Sequence, residues 1–120
     1  MKRVLVSIAV TLAAVAALVM APAARVSAHP SVDVVASNWK FTPATVELHV
    51  GQATTLRLTS SEGVHGIKSD ELGIKQTTIV PGAFASVTLT PVKAGTFLVH
   101  CSIVCGAGHP DMILTVKVLP

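Results

Sequence analysis

Residues 46–58 read Val46-Glu47-Leu48-His49-Val50-Gly51-Gln52-Ala53-Thr54-Thr55-Leu56-Arg57-Leu58, with apolar side chains at every second position on both sides of a glycine. A strand turns successive side chains to opposite faces, so this alternation predicts two half-buried strands and not a helix. The same period recurs in Val87-Leu89 and Leu114-Val116-Val118. Turn formers separate the runs: Pro43, Gly51, Ser60-Ser61-Glu62-Gly63, Pro81-Gly82, Pro91 and Gly95. No window carries an apolar stripe of helical period and helix length. The expectation is an all-β domain of about seven or eight short strands, folded as a Greek-key β-sandwich or barrel.

The chain has 120 residues, enough for one domain, and its 51% hydrophobic content argues against disorder. Aromatics make up 3% and Tyr is absent, which removes the stacking platforms of single-strand nucleic-acid binders. The net charge of +3 comes from Lys2, Arg3 and Arg25; beyond them six basic and six acidic side chains balance. No nucleic-acid partner is expected, because phosphate binding needs clustered positive charge. Lys2-Arg3, the uncharged run Val4–Ala21 and the small-residue site Val26-Ser27-Ala28 follow the order of a secretory signal. Residues 1–28 are therefore expected to be a signal peptide, or an N-terminal membrane anchor if uncleaved, and residues 29–120 the folded domain. Either way that domain lies outside the cytoplasm, in the periplasm or an equivalent space, and is expected to be a monomer.

The chemistry concentrates in Cys101-Ser102-Ile103-Val104-Cys105-Gly106-Ala107-Gly108-His109-Pro110-Asp111-Met112, spaced C-x3-C-x3-H-x2-M. It holds both cysteines and the one Met beyond residue 28. Two glycines and a proline make a helix costly here, by about 1 kcal/mol for each Gly and about 3 for Pro, so a loop folded back on itself is expected. Thiolate and imidazole suit copper and zinc alike, but a thioether ligand marks copper electron-transfer sites. Such a site needs a further imidazole from another strand. His65, flanked by glycines in Gly63-Val64-His65-Gly66, is the candidate. A Cys101–Cys105 disulfide is the competing reading for paired cysteines in an exported chain. His49 alternates with Leu48 and Val50 and is read as facing solvent, while His100 adjoins Cys101 and is read as pointing to the opposite face of its strand, in a structural role or tuning the site from behind the ligands. Trp39 and Phe41 are read as core. His29, as a new amino terminus, opens an enzyme reading as a copper-chelating terminus of the oxidative polysaccharide-cleaving kind, which lacks an aromatic substrate platform.

At these residues the sequence resembles the CuA domain of cytochrome c oxidase subunit II, a cupredoxin. The resemblance implies that His65, Cys101, Cys105, His109 and Met112 hold two copper ions bridged by both thiolates, with Ile103 lending a backbone carbonyl. It extends to Trp39-Lys40-Phe41-Thr42-Pro43, Leu72-Gly73-Ile74-Lys75 and Pro81-Gly82, and covers nearly all of residues 32–118. Two positions depart from the pattern: Ile103 stands where Glu is usual, and His100 where Gln is usual. The two transmembrane helices and the aromatic patch that receives electrons from cytochrome c are missing, which points to a stand-alone exported carrier.

The function expected from the resemblance is electron transfer by a dinuclear CuA-type centre, without catalysis. The partner would be a cytochrome c, another cupredoxin or a copper enzyme, docked through an apolar surface near His109. The alternative is copper handling, in which a single labile copper is stored or delivered. No catalytic triad, phosphate loop or open His-rich metal site with a neighbouring carboxylate supports an enzyme.

Overall fold

The computed structural model describes residues 14–23 and 29–120. The charged start Lys2-Arg3 and the site Val26-Ser27-Ala28 lie outside the described residues, and residues 14–23 form no regular element. Nine strands follow: β1 Ser31–Ser37, β2 Lys40–Thr42, β3 Thr45–His49, β4 Thr54–Ser60, β5 His65–Ser69, β6 Ile74–Ile79, β7 Ala85–Leu89, β8 Gly95–His100 and β9 Ile113–Leu119. The count exceeds the expected seven or eight; β2, only three residues long, is too short to show a period of its own.

The strands form three sheets, ordered β2-β1-β4-β7, β3-β9-β8 and β5-β6. The chain passes from the first sheet to the second between β2 and β3, across Pro43, and again between β7 and β8. Two pairings are parallel, β1 with β4 (Val34 opposite Leu58) and β3 with β9 (Leu48 opposite Val118), so the sheets are mixed and the connections are of Greek-key type. Alternation decides what is buried. Along β4 the side chains of Thr54, Leu56, Leu58 and Ser60 point inward, and along β9 those of Leu114, Val116 and Val118 do. They meet Val34 and Ala36 of β1, Phe41 of β2, Val46 and Leu48 of β3 and Val99 of β8 in one core. Each fully buried Leu or Val contributes about 1.5–3 kcal/mol relative to exposure.

His49 is exposed, as its alternation implies, and so is His100. Trp39 departs from expectation: Phe41 is in the core, whereas Trp39 is 40% exposed. It sits in the turn between β1 and β2, outside the alternating run, at the end of the sandwich where β8 stops and β5 starts. Among the described residues no helix is long and apolar enough to cross a membrane. Replacing Leu58, fully buried, by Ala is expected to lower unfolding free energy by about 2–5 kcal/mol, whereas Leu98→Ala, on the exposed face of β8, should change it by about 0.5 kcal/mol or less. Denaturant titration of the two variants checks the inside and outside of the sandwich.

Candidate metal centre

One side of the site is built by the turn that leads into β5. Ser60, buried at the end of β4, has Oγ 2.6 Å from the Gly63 carbonyl and 2.9 Å from the Glu62 carbonyl, and it accepts the Glu62 N–H at 3.1 Å. Gly63 adopts φ +77°, and a side chain there would strike Asn38 Oδ1 at 2.9 Å. The tight turn puts His65 in the interior with Nε2 2.7 Å from the Glu62 carbonyl. A carbonyl only accepts, so Nε2 carries the proton and Nδ1 keeps a free lone pair. Nδ1 is buried and has no hydrogen-bond partner. An unpartnered buried polar atom costs about 1–3 kcal/mol, so this nitrogen is aimed at something that accepts its lone pair.

The other side is the loop between β8 and β9. The Cys101 N–H donates to the Met112 carbonyl at 2.9 Å, which pins the loop's two ends together. An antiparallel bridge between Ile67 and Cys101, with the Ser102 N–H donating to the Gly66 carbonyl at 3.0 Å, ties the loop to β5 and so to His65. Gly66 makes this approach possible, because a Cβ there would lie 2.7 Å from Ser102 Oγ. Between the pinned ends the chain is a loop, as its Gly and Pro content implies, relieved by one 3₁₀ turn over His109–Asp111.

This folding brings three of the sequence-derived donors into one tight group and sets the other three each beside one of its cysteines. The ligand atoms of His65, Cys101 and Cys105 lie within 4.8 Å of one another. Cys101 Sγ is 3.2 Å from the Ile103 carbonyl oxygen and 3.6 Å from Cys105 Sγ. Cys105 Sγ is 3.6 Å from His109 Nδ1 and 3.8 Å from Met112 Sδ. Both cysteines are free thiols. The Cys105 thiol is pushed up to about 11, first by burial and then by the hydrogen bond and charge of Cys101, so without metal it is neutral at physiological pH. Cys101 and Met112 are core residues, and Cys105 packs against them. The donors, two thiols, two imidazoles, a thioether and a carbonyl, fit a soft or borderline metal, and among the described residues no carboxylate joins the His65, Cys101 and Cys105 group. His49 and His100 lie outside it.

One contributor was not legible as part of the site. Trp39 Nε1 donates to the Cys105 carbonyl at 3.1 Å, and its ring lies against Gly106 and Gly108. The available signal was the Gly-x-Gly in the loop, two positions without side chains where a flat group can rest. A cleft of about 450 Å³ bounded by Lys68, Asp70, Ile74 and Lys75 on the β5–β6 hairpin contains none of the six donor residues.

Comparison with known proteins agrees with this architecture. The probable cytochrome c oxidase subunit 2 of Streptomyces avermitilis and that of Streptomyces coelicolor are each 35% identical over 75 residues, 62% of this chain and 23% of theirs. The chain thus spans less than a quarter of the length of these curated relatives. The periplasmic domain of subunit II of cytochrome oxidase (CoxB) of Bradyrhizobium japonicum superposes with a TM-score of 0.69 at 15% identity, over 78% of this chain and 86% of that one. Auracyanin A, a blue copper protein of Chloroflexus aurantiacus, superposes with a TM-score of 0.58 at 14% identity, over 77% of this chain and all of that one. At these identities the structural likeness shows the fold. The cupredoxin-like domain family matches residues 9–113, and by that match and its nine-stranded mixed sheets the chain belongs to that family.

Proposed function

We propose that the domain is an extracytoplasmic copper-binding electron-transfer domain whose centre is of the dinuclear CuA type, held by His65, Cys101, Cys105, His109, Met112 and the Ile103 carbonyl. The observation that carries this reading is the gathering of two imidazoles, a thioether and a carbonyl around two thiols 3.6 Å apart, with the buried His65 Nδ1 lacking a hydrogen-bond partner. Bound copper supplies a one-electron couple; the chain supplies a preset cage. The Glu62 carbonyl orients the His65 ring through Nε2–H, and the Cys101–Met112 rung sets the loop's span. Val104, 85% exposed in the loop, Val64 beside His65 and Trp39 give the site an apolar rim suited to a redox partner such as a cytochrome c, a cupredoxin or a copper enzyme. Residues 1–28 serve as signal peptide or anchor and residues 29–120 as the domain. The names of the curated relatives, cytochrome c oxidase subunits 2, and the periplasmic origin of the CoxB domain support an extracytoplasmic electron carrier without catalysis of its own.

A second reading is favoured by the tightest group alone. His65, Cys101 and Cys105, within 4.8 Å of one another, make a complete three-donor set for one ion, as a protein that stores or delivers a single labile copper requires. Metal analysis with electron paramagnetic resonance separates the two. The dinuclear reading expects two coppers per chain with hyperfine coupling to two equivalent nuclei; one copper, a single-nucleus pattern and exchange to a chelator within minutes would establish the handling reading instead.

Individual ligands give a further check. Cys101→Ser and Cys105→Ser should each abolish the dinuclear spectrum, because a bridging thiolate serves both ions. Met112→Leu should retain copper and chiefly shift the reduction potential, since thioether ligation is long and weak. Full copper content and unchanged colour in Cys105→Ser would remove the bridging assignment.

A further inference from the structure

We propose that Trp39 is a positioning residue that holds the Cys105–His109 segment in its metal-ready shape before any metal arrives, with the turn Asn38-Trp39 bracing both halves of the site. The inference rests on the reading of residues 101–112 as a ligand loop and extends it to a residue that ligates nothing. The indole Nε1–H donates to the Cys105 carbonyl at 3.1 Å, across 66 positions of sequence. Its ring fills the space that side chains at the two loop glycines would need. A Cβ on Gly106 would lie 2.9 Å from Cζ2 and Nε1, and one on Gly108 would lie 2.6 Å from Cγ and Cδ2. Its neighbour Asn38 sits under the other half of the site, with Oδ1 2.9 Å from where a Gly63 Cβ would be, and Gly63 belongs to the turn that orients His65. Two consecutive residues thus touch both segments that bear the candidate ligands.

The loop has little else to hold it in its middle. Its ends are pinned by backbone hydrogen bonds at Cys101 and Met112, and its internal backbone hydrogen bonds join only Gly106 to His109, Gly108 to Asp111 and His109 to Met112. None of these holds the backbone of Cys105. The Cys105 carbonyl is fixed by Trp39, and Cys105 Sγ is the atom that Cys101, His109 and Met112 all approach. Holding this segment in advance spares the binding step the entropy of ordering it.

Gly108 offers a clean steric test because its φ of −88° is open to any residue, so Ala there conflicts with the indole and not with the backbone. The experiment measures, at fixed pH, the rate at which iodoacetamide alkylates Cys105 in the reduced, metal-free full chain, followed by mass spectrometry, with circular dichroism to confirm the strands. Trp39→Ala is expected to raise the rate about tenfold, the scale of one lost hydrogen bond with its packing. Trp39→Phe, which keeps a ring over the glycines but loses the donor, should give a smaller rise. Gly108→Ala should match Trp39→Ala and shift the emission of Trp39, the chain's single tryptophan, to the red as the ring is displaced into water. In the double variant Gly108→Ala should add nothing, because the ring it strikes is gone.

An unchanged rate in Trp39→Ala, or a Gly108→Ala effect of equal size in both backgrounds, overturns the proposal. Should Trp39→Ala lose its strand signal, Trp39→Phe and Gly108→Ala decide in its place, by the same rate and emission criteria. A parallel measurement of copper retention against a chelator is expected to fall with the same ranking. The metal-free readout stands whether the centre takes two coppers, one or none, so failure of the copper reading and failure of the clamp are separate results.

Discussion

The hydrogen bond from the Cys101 N–H to the Met112 carbonyl, 2.9 Å long, is the last rung of the β8–β9 ladder, and the geometry of the candidate centre hangs from it. Above this rung the two strands run paired from Gly95 opposite Val118 to His100 opposite Ile113. Beyond it the chain is free to form a loop whose ends are already together. The closure entropy of a loop this short is a small charge on a sandwich that has already paired its strands. The Ile67–Cys101 bridge then carries β5 alongside, which brings the His65 ligand atom within 4.8 Å of those of Cys101 and Cys105. Two backbone pairings thus gather His65 and the loop of residues 101–112, far apart in sequence, into one cluster.

The cluster is part of the core and not an addition to its surface. Cys101 and Met112 are buried among the same residues that hold the sheets together, and His65 is fully buried. Soft sulfur side chains suit such a position because they pack as hydrophobes when no metal is present. The same burial keeps the Cys105 thiol protonated in the metal-free protein. It also limits movement of the donors, since close-packed interiors resist displacement. For a centre that exchanges an electron, donors that stay where they are in both oxidation states are an advantage. The apolar rim of Val64, Val104 and Trp39 continues this low polarity to the surface.

Much of this was legible in the sequence, for identifiable reasons. Period-2 alternation marked β3, β4, β7 and β9 because one face of each is buried and the other is wet. It ran one residue too far at β2, where it put Trp39 in the core with Phe41 because Trp39-Lys40-Phe41 looks like a continued alternation. The turn before β2 breaks that phase, so Phe41 goes inward while Trp39 swings onto the ligand loop. The loop donors were visible because C-x3-C-x3-H-x2-M concentrates rare residue types in twelve positions. The contacts that orient them were not, since Ser60 with Gly63, Gly66 with Ser102 and Trp39 with Cys105 are joined only through the fold. The choice between one metal ion and two is likewise a matter of donor geometry, which spacing alone does not contain.

X-ray absorption at the copper edge of the loaded, full-length protein tests most directly the central claim that both thiols and both imidazoles serve one dinuclear centre. The account expects a short sulfur shell accompanied by a second, metal scatterer at close range, both lost together in Cys101→Ser. A nitrogen and sulfur shell with no neighbouring metal at full copper loading would contradict it and leave a mononuclear site built on His65, Cys101 and Cys105.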